Sequence, residues 1–154
     1  MVKNQSAGLL LYRKSKNHLE VFLVHPGGPF WKNKDDNAWS IPKGEFDESE
    51  EPLQAAIREF LEETGIPVSG EFIELQPIIQ KGGKKVFAWA LEKNIDAAAI
   101  QSNHFEMEWP PRSGKYQNFP EVDKGGWFTI EEAKKKINAM QAALIEELEQ
   151  KSAT

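Results

Sequence analysis

Residues 52 to 65 predict an amphipathic helix with an unusually acidic flank. Its apolar residues recur at helical spacing and are Leu53, Ala56, Ile57, Phe60 and Leu61. Pro52 suits the first turn of a helix, where its missing N–H leaves no hydrogen bond unmade, and Gly65 suits the position just past the end. The apolar stripe is therefore expected to face the protein core while the acidic residues lie on a neighbouring flank.

The rest of the chain is predicted to form strands and one further helix. Apolar, β-branched or aromatic runs predict strands at 6–13, 18–25, 71–80, 84–93 and 127–130. Pro77 is expected at an edge or a bulge, because proline cannot donate a hydrogen bond to a neighbouring strand. Strands followed by a helix, twice in succession, predict an α+β domain.

The second helix is predicted to begin at a capping box formed by Thr129 and Glu132. The apolar residues on its one face are Ala133, Ile137, Met140, Leu144 and Leu148. Segments 25–38 and 101–120 are predicted to be loops, and such long loops often line a functional site.

Length and composition fit one domain spanning residues 1–154. No apolar run approaches the roughly 18 residues that a membrane span needs, and the N-terminus lacks the pattern of a signal peptide. The absence of cysteine excludes disulfides, cysteine metal sites and a thiol nucleophile, and it fits a cytoplasmic protein. A net charge of −5 indicates no duplex nucleic acid partner.

The acidic flank of the first helix has the chemistry of a divalent metal site. Glu59, Glu62 and Glu63 lie at i, i+3 and i+4, so their carboxylates project from neighbouring positions. A hard cation such as Mg²⁺ offsets their repulsion and shares carboxylates with substrate phosphates. Arg58 is placed to tether a carboxylate by a bidentate pair. The alternative is a merely solvated acidic surface.

The spacing around this helix resembles a known signature. The residues that match the Nudix box of Nudix hydrolases over 44–66 are Gly44, Glu50, Arg58, Glu59, Phe60, Glu62, Glu63, Gly65 and Ile66. The segments WSIPKGEF (39–46) and PEVDKGGWF (120–128) are similar to the stretches that enter the box and follow the substrate strands in that family. The resemblance implies an α/β/α sandwich around a mixed β-sheet. It also implies hydrolysis of a nucleoside diphosphate linked to another group.

Metal ligands follow from the same resemblance. It implies Glu59 and Glu63 as the principal Mg²⁺ ligands, with Mn²⁺ as a substitute metal. A backbone carbonyl at Lys43 or Gly44 is expected to complete the site.

The catalytic roles implied by the resemblance leave one alternative open. Arg58 is expected to orient the carboxylates, and Glu50 to serve a structural role or to help the metal array. Glu62 is a further metal ligand or the base that activates water. Glu121, on the loop before a late tryptophan, is the competing candidate for the base.

Substrate contacts are expected from cations and aromatic rings. Lys43, Arg112 and Lys115 are the candidate phosphate-binding cations, and Trp39 is expected either to touch a base or to brace the box. The aromatic candidates for stacking on a nucleobase are Phe105, Trp109, Tyr116 and Phe119. Packing is the competing role for each of these rings.

The partner is expected to be a small-molecule nucleotide rather than a membrane or duplex nucleic acid. A lysine directly before Gly44 resembles the entry to the box in diadenosine polyphosphate hydrolases. Glu45 and Phe46 differ from the residues usual at those positions in these enzymes. Nucleoside triphosphates, nucleotide sugars and coenzymes stay open as substrates. The alternative function is a non-hydrolytic nucleotide sensor. Retention of all three box glutamates argues against this alternative. The oligomeric state, monomer or homodimer, is open.

Overall fold

The structure is a computed structural model that describes residues 5–80 and 82–152. Its strands are β1 (Gln5–Ser15), β2 (His18–Pro26), β3 (Lys43–Glu45), β4 (Ile73–Glu74), β5 (Ile78–Ile79), β6 (Lys85–Glu92), β7 (His104–Glu108), β8 (Tyr116–Pro120) and β9 (Val122–Thr129). Its helices are α1 (Pro52–Thr64), α2 (Ile130–Lys136) and α3 (Ala142–Ser152). Residues 1–4 and 153–154, the ends of the predicted domain, and residue 81 lie outside the described residues. No helix within the described ranges is long and apolar enough to cross a membrane.

A mixed sheet forms the centre of the molecule, as predicted. Its main path is β4-β6-β1-β2-β9, and the short strands β3 and β5 pair with β1 and β6. β1 and β6 run parallel, from Gln5 opposite Lys85 to Tyr12 opposite Glu92. The other pairings described for this sheet are antiparallel. A parallel pair requires a crossover connection, and α1 lies in the segment that joins these two strands.

Helices cover both faces of the sheet because its central strands are apolar on both sides. Leu9 and Leu11 of β1 pack in one buried cluster with Phe60 of α1. Leu10, between them, packs in a second buried cluster with Leu148 of α3. Successive side chains of a strand point to opposite faces, so a continuous apolar run needs cover on each. This layering confirms the α+β fold expected of an α/β/α sandwich.

Helix α1 begins and ends where its sequence predicts. Pro52 lies in the first turn, and Gly65 follows the last turn with a φ of 76°, a left-handed conformation that glycine adopts without strain. The Gly65 N–H donates to the carbonyl of Leu61 at 2.7 Å and so closes the helix. The helix contacts β1, β3 and β6. Its acidic flank therefore meets the chain that leads into the helix.

The single C-terminal helix expected from the apolar spacing is wrong, because a break separates α2 from α3. α2 begins at the predicted capping box of Thr129 and Glu132 and ends at Lys136. There the Lys136 carbonyl accepts from Trp39 N–H at 2.9 Å, and the Trp39 carbonyl accepts from Asn138 N–H at 2.7 Å. These tertiary hydrogen bonds replace helical ones, and a periodic pattern does not reveal them.

Two other segments differ in detail from their predictions. The predicted strand 71–80 is split into β4 and β5, with Pro77 between them. The predicted loop 101–120 contains the hairpin β7–β8, whose register runs from His104 opposite Pro120 to Glu108 opposite Tyr116. β7 alternates apolar and polar residues, with Phe105 and Met107 flanked by His104, Glu106 and Glu108, but its partner β8 shows no such alternation.

Candidate active site

The site begins where α1 meets β3. A Cβ atom added to Gly44 would lie 1.9 Å from the nearest carboxylate oxygen of Glu59, a distance that no real contact allows. A larger residue at this position would displace the Glu59 carboxylate, which lies directly against the β3 backbone. Burial raises the pKa of Glu59 above its ordinary value, against the lowering effect of Arg58.

Glu63 lies one helical turn further along α1 and faces the same strand. The Lys43 N–H donates to its Oε1 at 3.3 Å. Burial raises the pKa of Glu63 to about 8, and the negative charges of Glu121 and Glu59 act in the same direction. Burial likewise lowers the pKa of the Lys43 ammonium group, with the nearby Lys84 as the second cause. Burial thus shifts both Glu63 and Lys43 toward their neutral forms.

Arg58 holds three of the box carboxylates. Its Nε and Nη2 donate to the two oxygens of Glu50 at 2.8 and 2.9 Å, a bidentate pair. Its Nη1 donates to Glu59 at 2.8 Å and to Glu62 at 2.7 Å. Because these carboxylates surround it, the pKa of Arg58 is raised. The predicted tether is present, and it orients Glu59 and Glu62 as well as Glu50.

Glu121, which directly precedes β9, lies close to the carboxylates of α1 although it is distant from them in the sequence. Its N–H donates to the carbonyl of Asn103 at 2.8 Å, and the Asn103 N–H donates to the carbonyl of Glu62 at 2.9 Å. Burial raises the pKa of the Glu121 carboxyl, and the charge of Glu62 adds to the effect. A backbone path from α1 to the start of β9 therefore holds the two candidate bases near one another.

A cavity of about 280 Å³ opens beside these residues. It is lined by Val24, Pro26, Trp31, Ala38, Ser40, Ile41, Lys43, Glu63, Gln80, Glu121, Val122, Asn138 and Gln141. We call it the inner cavity. Charge is concentrated at Lys43, Glu63 and Glu121, and the rest of the wall is apolar or neutral. Such a site suits a ligand with an anionic part and a largely apolar part.

Gln141 is a cavity residue that the sequence interpretation missed. Its side chain is 1% exposed. Its Oε1 accepts from the Ile41 N–H at 3.0 Å, and its Nε2 donates to Ser40 Oγ at 3.0 Å. It thereby fixes the strand segment that leads to Lys43. The available signal was its position four residues after Ile137 and four before Ile145, a polar residue on an otherwise apolar stripe.

Trp39 and the two loop cations predicted to bind substrate do not line the inner cavity. Trp39 is 6% exposed, its Nε1 donates to Asp35 at 2.8 Å, and its ring packs edge-on against Phe128. Arg112 and Lys115 are exposed in the turn between β7 and β8. Lys43 is the predicted cation that the structure brings to the cavity. The roles of the other three in substrate binding stay predictions.

The carboxylate oxygens of the box glutamates suit a hard divalent cation, although these side chains are not grouped as metal ligands in the structure. Within residues 5–80 and 82–152, no group of three or more His, Cys, Asp or Glu side chains is placed to hold a metal ion. Two of the box carboxylates, Glu59 and Glu62, instead accept hydrogen bonds from the Arg58 guanidinium group. Glu63 nevertheless faces the negative charges of Glu59 and Glu121. Oxygen donors with surplus negative charge are what Mg²⁺ prefers.

Comparison with known proteins places the chain in a family. The model of the NUDIX domain matches residues 2–148, nearly the whole chain. The chain therefore belongs to the NUDIX domain family, as the box at 44–66 predicts.

Known relatives define the class more closely. Bis(5′-nucleosyl)-tetraphosphatase (asymmetrical) of Caenorhabditis elegans is 30% identical over 110 residues, which cover 68% of this chain and 75% of the relative. A crystal structure of a C. elegans Ap4A hydrolase binary complex matches with a TM-score of 0.64 and 26% identity, over 96% of this chain and 98% of that one. The NUDIX domain of Shewanella oneidensis NrtR complexed with ADP-ribose matches with a TM-score of 0.65 and 16% identity, over 100% and 90%, and shows the fold alone. The protein is an enzyme of the Nudix pyrophosphohydrolase class.

Proposed function

We propose that this enzyme catalyses the Mg²⁺-dependent hydrolysis of a pyrophosphate bond in a nucleoside diphosphate linked to a second nucleotide, a dinucleoside polyphosphate. The observation that carries the proposal is the meeting of Glu63, Lys43 and Glu121 at one cavity. Hydrolysis of an anhydride needs a cation for the phosphates and a carboxylate that accepts a proton from water. Similarity to a bis(5′-nucleosyl)-tetraphosphatase supports the two-ended substrate class.

Glu59 and Glu63 are the side chains we assign to Mg²⁺, with the main-chain carbonyl of Gly44 as a further ligand and Mn²⁺ as the substitute metal. Support comes from the surplus negative charge around Glu63 and from the bare Cα of Gly44, which leaves room for the Glu59 carboxylate. A bound ion of this kind supplies charge neutralisation for the pyrophosphate and for the departing phosphate.

The remaining charged residues bind and orient. Lys43 presents a partly buried ammonium group on the cavity wall, where a phosphate oxygen is its natural counter-charge. Arg58 acts as a positioning residue, since it touches carboxylates and holds their rotamers through hydrogen bonds of 2.7 to 2.9 Å. A pre-set arrangement of charges lowers the cost of reorganisation during the reaction.

We assign the general base to Glu121 rather than to Glu62. Arg58 donates to the Glu62 carboxylate at 2.7 Å, so this carboxylate is already engaged, and Glu62 does not line the inner cavity. Burial instead raises the pKa of Glu121, which brings its basicity closer to that needed at neutral pH. Glu121 also lines the inner cavity.

Glu121→Gln is expected to lower kcat by about 100-fold with little change in KM, because a general base acts on the transition state rather than on substrate binding. Steady-state kinetics measure both constants. Glu106→Gln, an exposed change on the adjacent hairpin, is the matched control and is expected to behave as the wild type. An unchanged kcat in Glu121→Gln, together with a large loss in Glu62→Gln, would move the role to Glu62.

The substrate class is tested by product analysis with the purified protein and Mg²⁺. The compounds are diadenosine polyphosphates, nucleoside triphosphates, nucleotide sugars and dinucleotide coenzymes. We expect the highest kcat/KM for a diadenosine polyphosphate, and no product in the presence of a chelator. Preferred hydrolysis of a nucleotide sugar or a coenzyme would overturn the substrate class, and full activity with chelator would overturn the metal assignment.

A further inference from the structure

A second cavity, of about 290 Å³, lies beside the inner cavity and has no role in the proposed chemistry. It is lined by Gly28, Pro29, Lys32, Trp109, Gln117, Phe119, Pro120 and Asp123. We call it the outer cavity. One wall is the loop that follows β2, and the opposite wall is the hairpin β7–β8, which the sequence predicted to be a loop with candidate substrate contacts.

The two cavities share a thin partition. The Gly27 N–H donates to the carbonyl of Glu121 at 2.9 Å and so joins the loop after β2 to the segment between β8 and β9. A Cβ atom on Gly27 would lie 2.0 Å from the carbonyl oxygen of Pro120, so only glycine allows this approach. Pro120 lines the outer cavity, whereas its neighbour Glu121 lines the inner one. The loop likewise contributes Trp31 to the inner cavity and Lys32 to the outer one.

The outer cavity has the surface chemistry of a site for a planar ring. Trp109 and Phe119 are half-buried aromatic residues on one wall, and Pro29 lies on the other. Aromatic faces stack on nucleobases with little dependence on the base. Lys32 is exposed at the same cavity, and among residues 5–80 and 82–152 it has no ion-pair partner. It is therefore available to a phosphate.

The hairpin holds Trp109 in place against the loop. The Trp109 N–H donates to the carbonyl of Lys115 at 2.8 Å, and its carbonyl accepts from Gln117 Nε2 at 3.1 Å. At the base of the hairpin, the ring of Phe105 packs in a tilted arrangement against that of Phe119, with centroids 6.1 Å apart. This ordered backbone lowers the entropy that a ligand must overcome when it stacks on Trp109.

We propose that the outer cavity binds the second nucleobase of a dinucleoside polyphosphate whose scissile phosphates lie at Lys43 and Glu63. The inference rests on the proposed function and deepens it, since it assigns a place to each end of the substrate. Trp109 supplies the stacking face, and Lys32 contacts the polyphosphate as it crosses the partition. A substrate with one nucleoside leaves the outer cavity empty, so this cavity sets the preference for two-ended substrates.

Trp109→Ala tests the proposal with two substrates, diadenosine tetraphosphate and adenosine triphosphate. Loss of one base–aromatic stack predicts a decrease in kcat/KM for the two-ended substrate of about tenfold, mainly through KM. The kcat/KM for adenosine triphosphate is expected to stay at the wild-type value. Asn118→Ala is the matched control, because Asn118 lies on the same hairpin, is exposed and lines neither cavity.

Lys32→Gln gives a second test that does not disturb the hairpin, since Lys32 is exposed. It is expected to lower kcat/KM for diadenosine tetraphosphate several-fold and to leave kcat/KM for adenosine triphosphate unchanged. Equal losses for both substrates, or no loss for either in both variants, would overturn the proposal. A wild-type enzyme that hydrolyses only one-ended nucleotides would overturn it too, while leaving hydrolysis by the inner site intact.

Discussion

Glu63→Gln is expected to lower kcat by about three orders of magnitude, equivalent to about 4 kcal/mol of transition-state stabilisation. The change keeps the size of the side chain but removes the charge that we assign to Mg²⁺. It also removes the counter-charge that faces Lys43, whose N–H donates to Glu63 Oε1 at 3.3 Å. Steady-state hydrolysis of diadenosine tetraphosphate with saturating Mg²⁺ measures the effect.

Glu146→Gln is the matched control, because Glu146 is exposed on α3, away from the inner cavity. It is expected to retain wild-type kcat. Circular dichroism of both variants checks that the fold is kept. Activity of Glu63→Gln within a few-fold of the wild type would be incompatible with Glu63 as a metal ligand.

The stability of the metal-free protein is expected to fall as the pH rises from about 5 to 8, and Glu63→Gln is expected to remove much of this fall. Burial raises the pKa of Glu63 from an ordinary 4.5 to about 8 in the folded protein. The folded state therefore binds the proton more tightly than the unfolded state. This contribution is complete below pH 4.5 and is lost as the pH rises through about 8.

The expected size follows from about 1.4 kcal/mol per pKa unit, reduced because the side chain is only partly shielded from solvent. We expect Glu63→Gln to have a free energy of unfolding higher than the wild type by roughly 3 kcal/mol at pH 8, and no gain at pH 4.5. Urea unfolding with chelator, at a series of pH values, measures the difference. Parallel pH profiles of the two proteins would contradict the assignment.

Magnesium supplies a control that does not depend on activity. A ligand that binds only the folded state raises its stability by mass action. At pH 8 we expect Mg²⁺ to stabilise the wild type and to have much less effect on Glu63→Gln. Equal stabilisation of both proteins would place the bound ion elsewhere.

The parts of the site that lie on α1 were predictable because their relation is local. Arg58, Glu59, Glu62 and Glu63 occupy neighbouring positions on one helix, and helical geometry alone puts their side chains side by side. The contacts of Arg58 agree with this predicted proximity, since its guanidinium group donates hydrogen bonds to both Glu59 and Glu62. Gly44 was equally recognisable by its spacing, although the reason for the glycine, contact with the Glu59 carboxylate, needed the structure.

The predictions from the sequence were wrong where segments that are distant in the chain contact one another. The break after Lys136 depends on backbone hydrogen bonds to Trp39, nearly a hundred residues earlier, so the apolar spacing continued across it. The same pairing buries Trp39 and keeps it off the inner cavity. The hairpin β7–β8 was missed although β7 alternates apolar and polar residues, because β8 carries no such alternation and Pro110, Pro111 and Gly114 between the strands favour a loop.

By itself, the sequence determined the helix that carries the carboxylates, the layers of apolar strands and the family of the enzyme, because each depends on spacing within one segment. Tertiary structure decided which other residues share the cavity. Glu121 and Gln141 reach it through pairing between strands and packing between layers, and the outer cavity exists because the hairpin lies opposite the loop after β2. Such neighbours are set by the free energy of the whole fold, which no local pattern encodes.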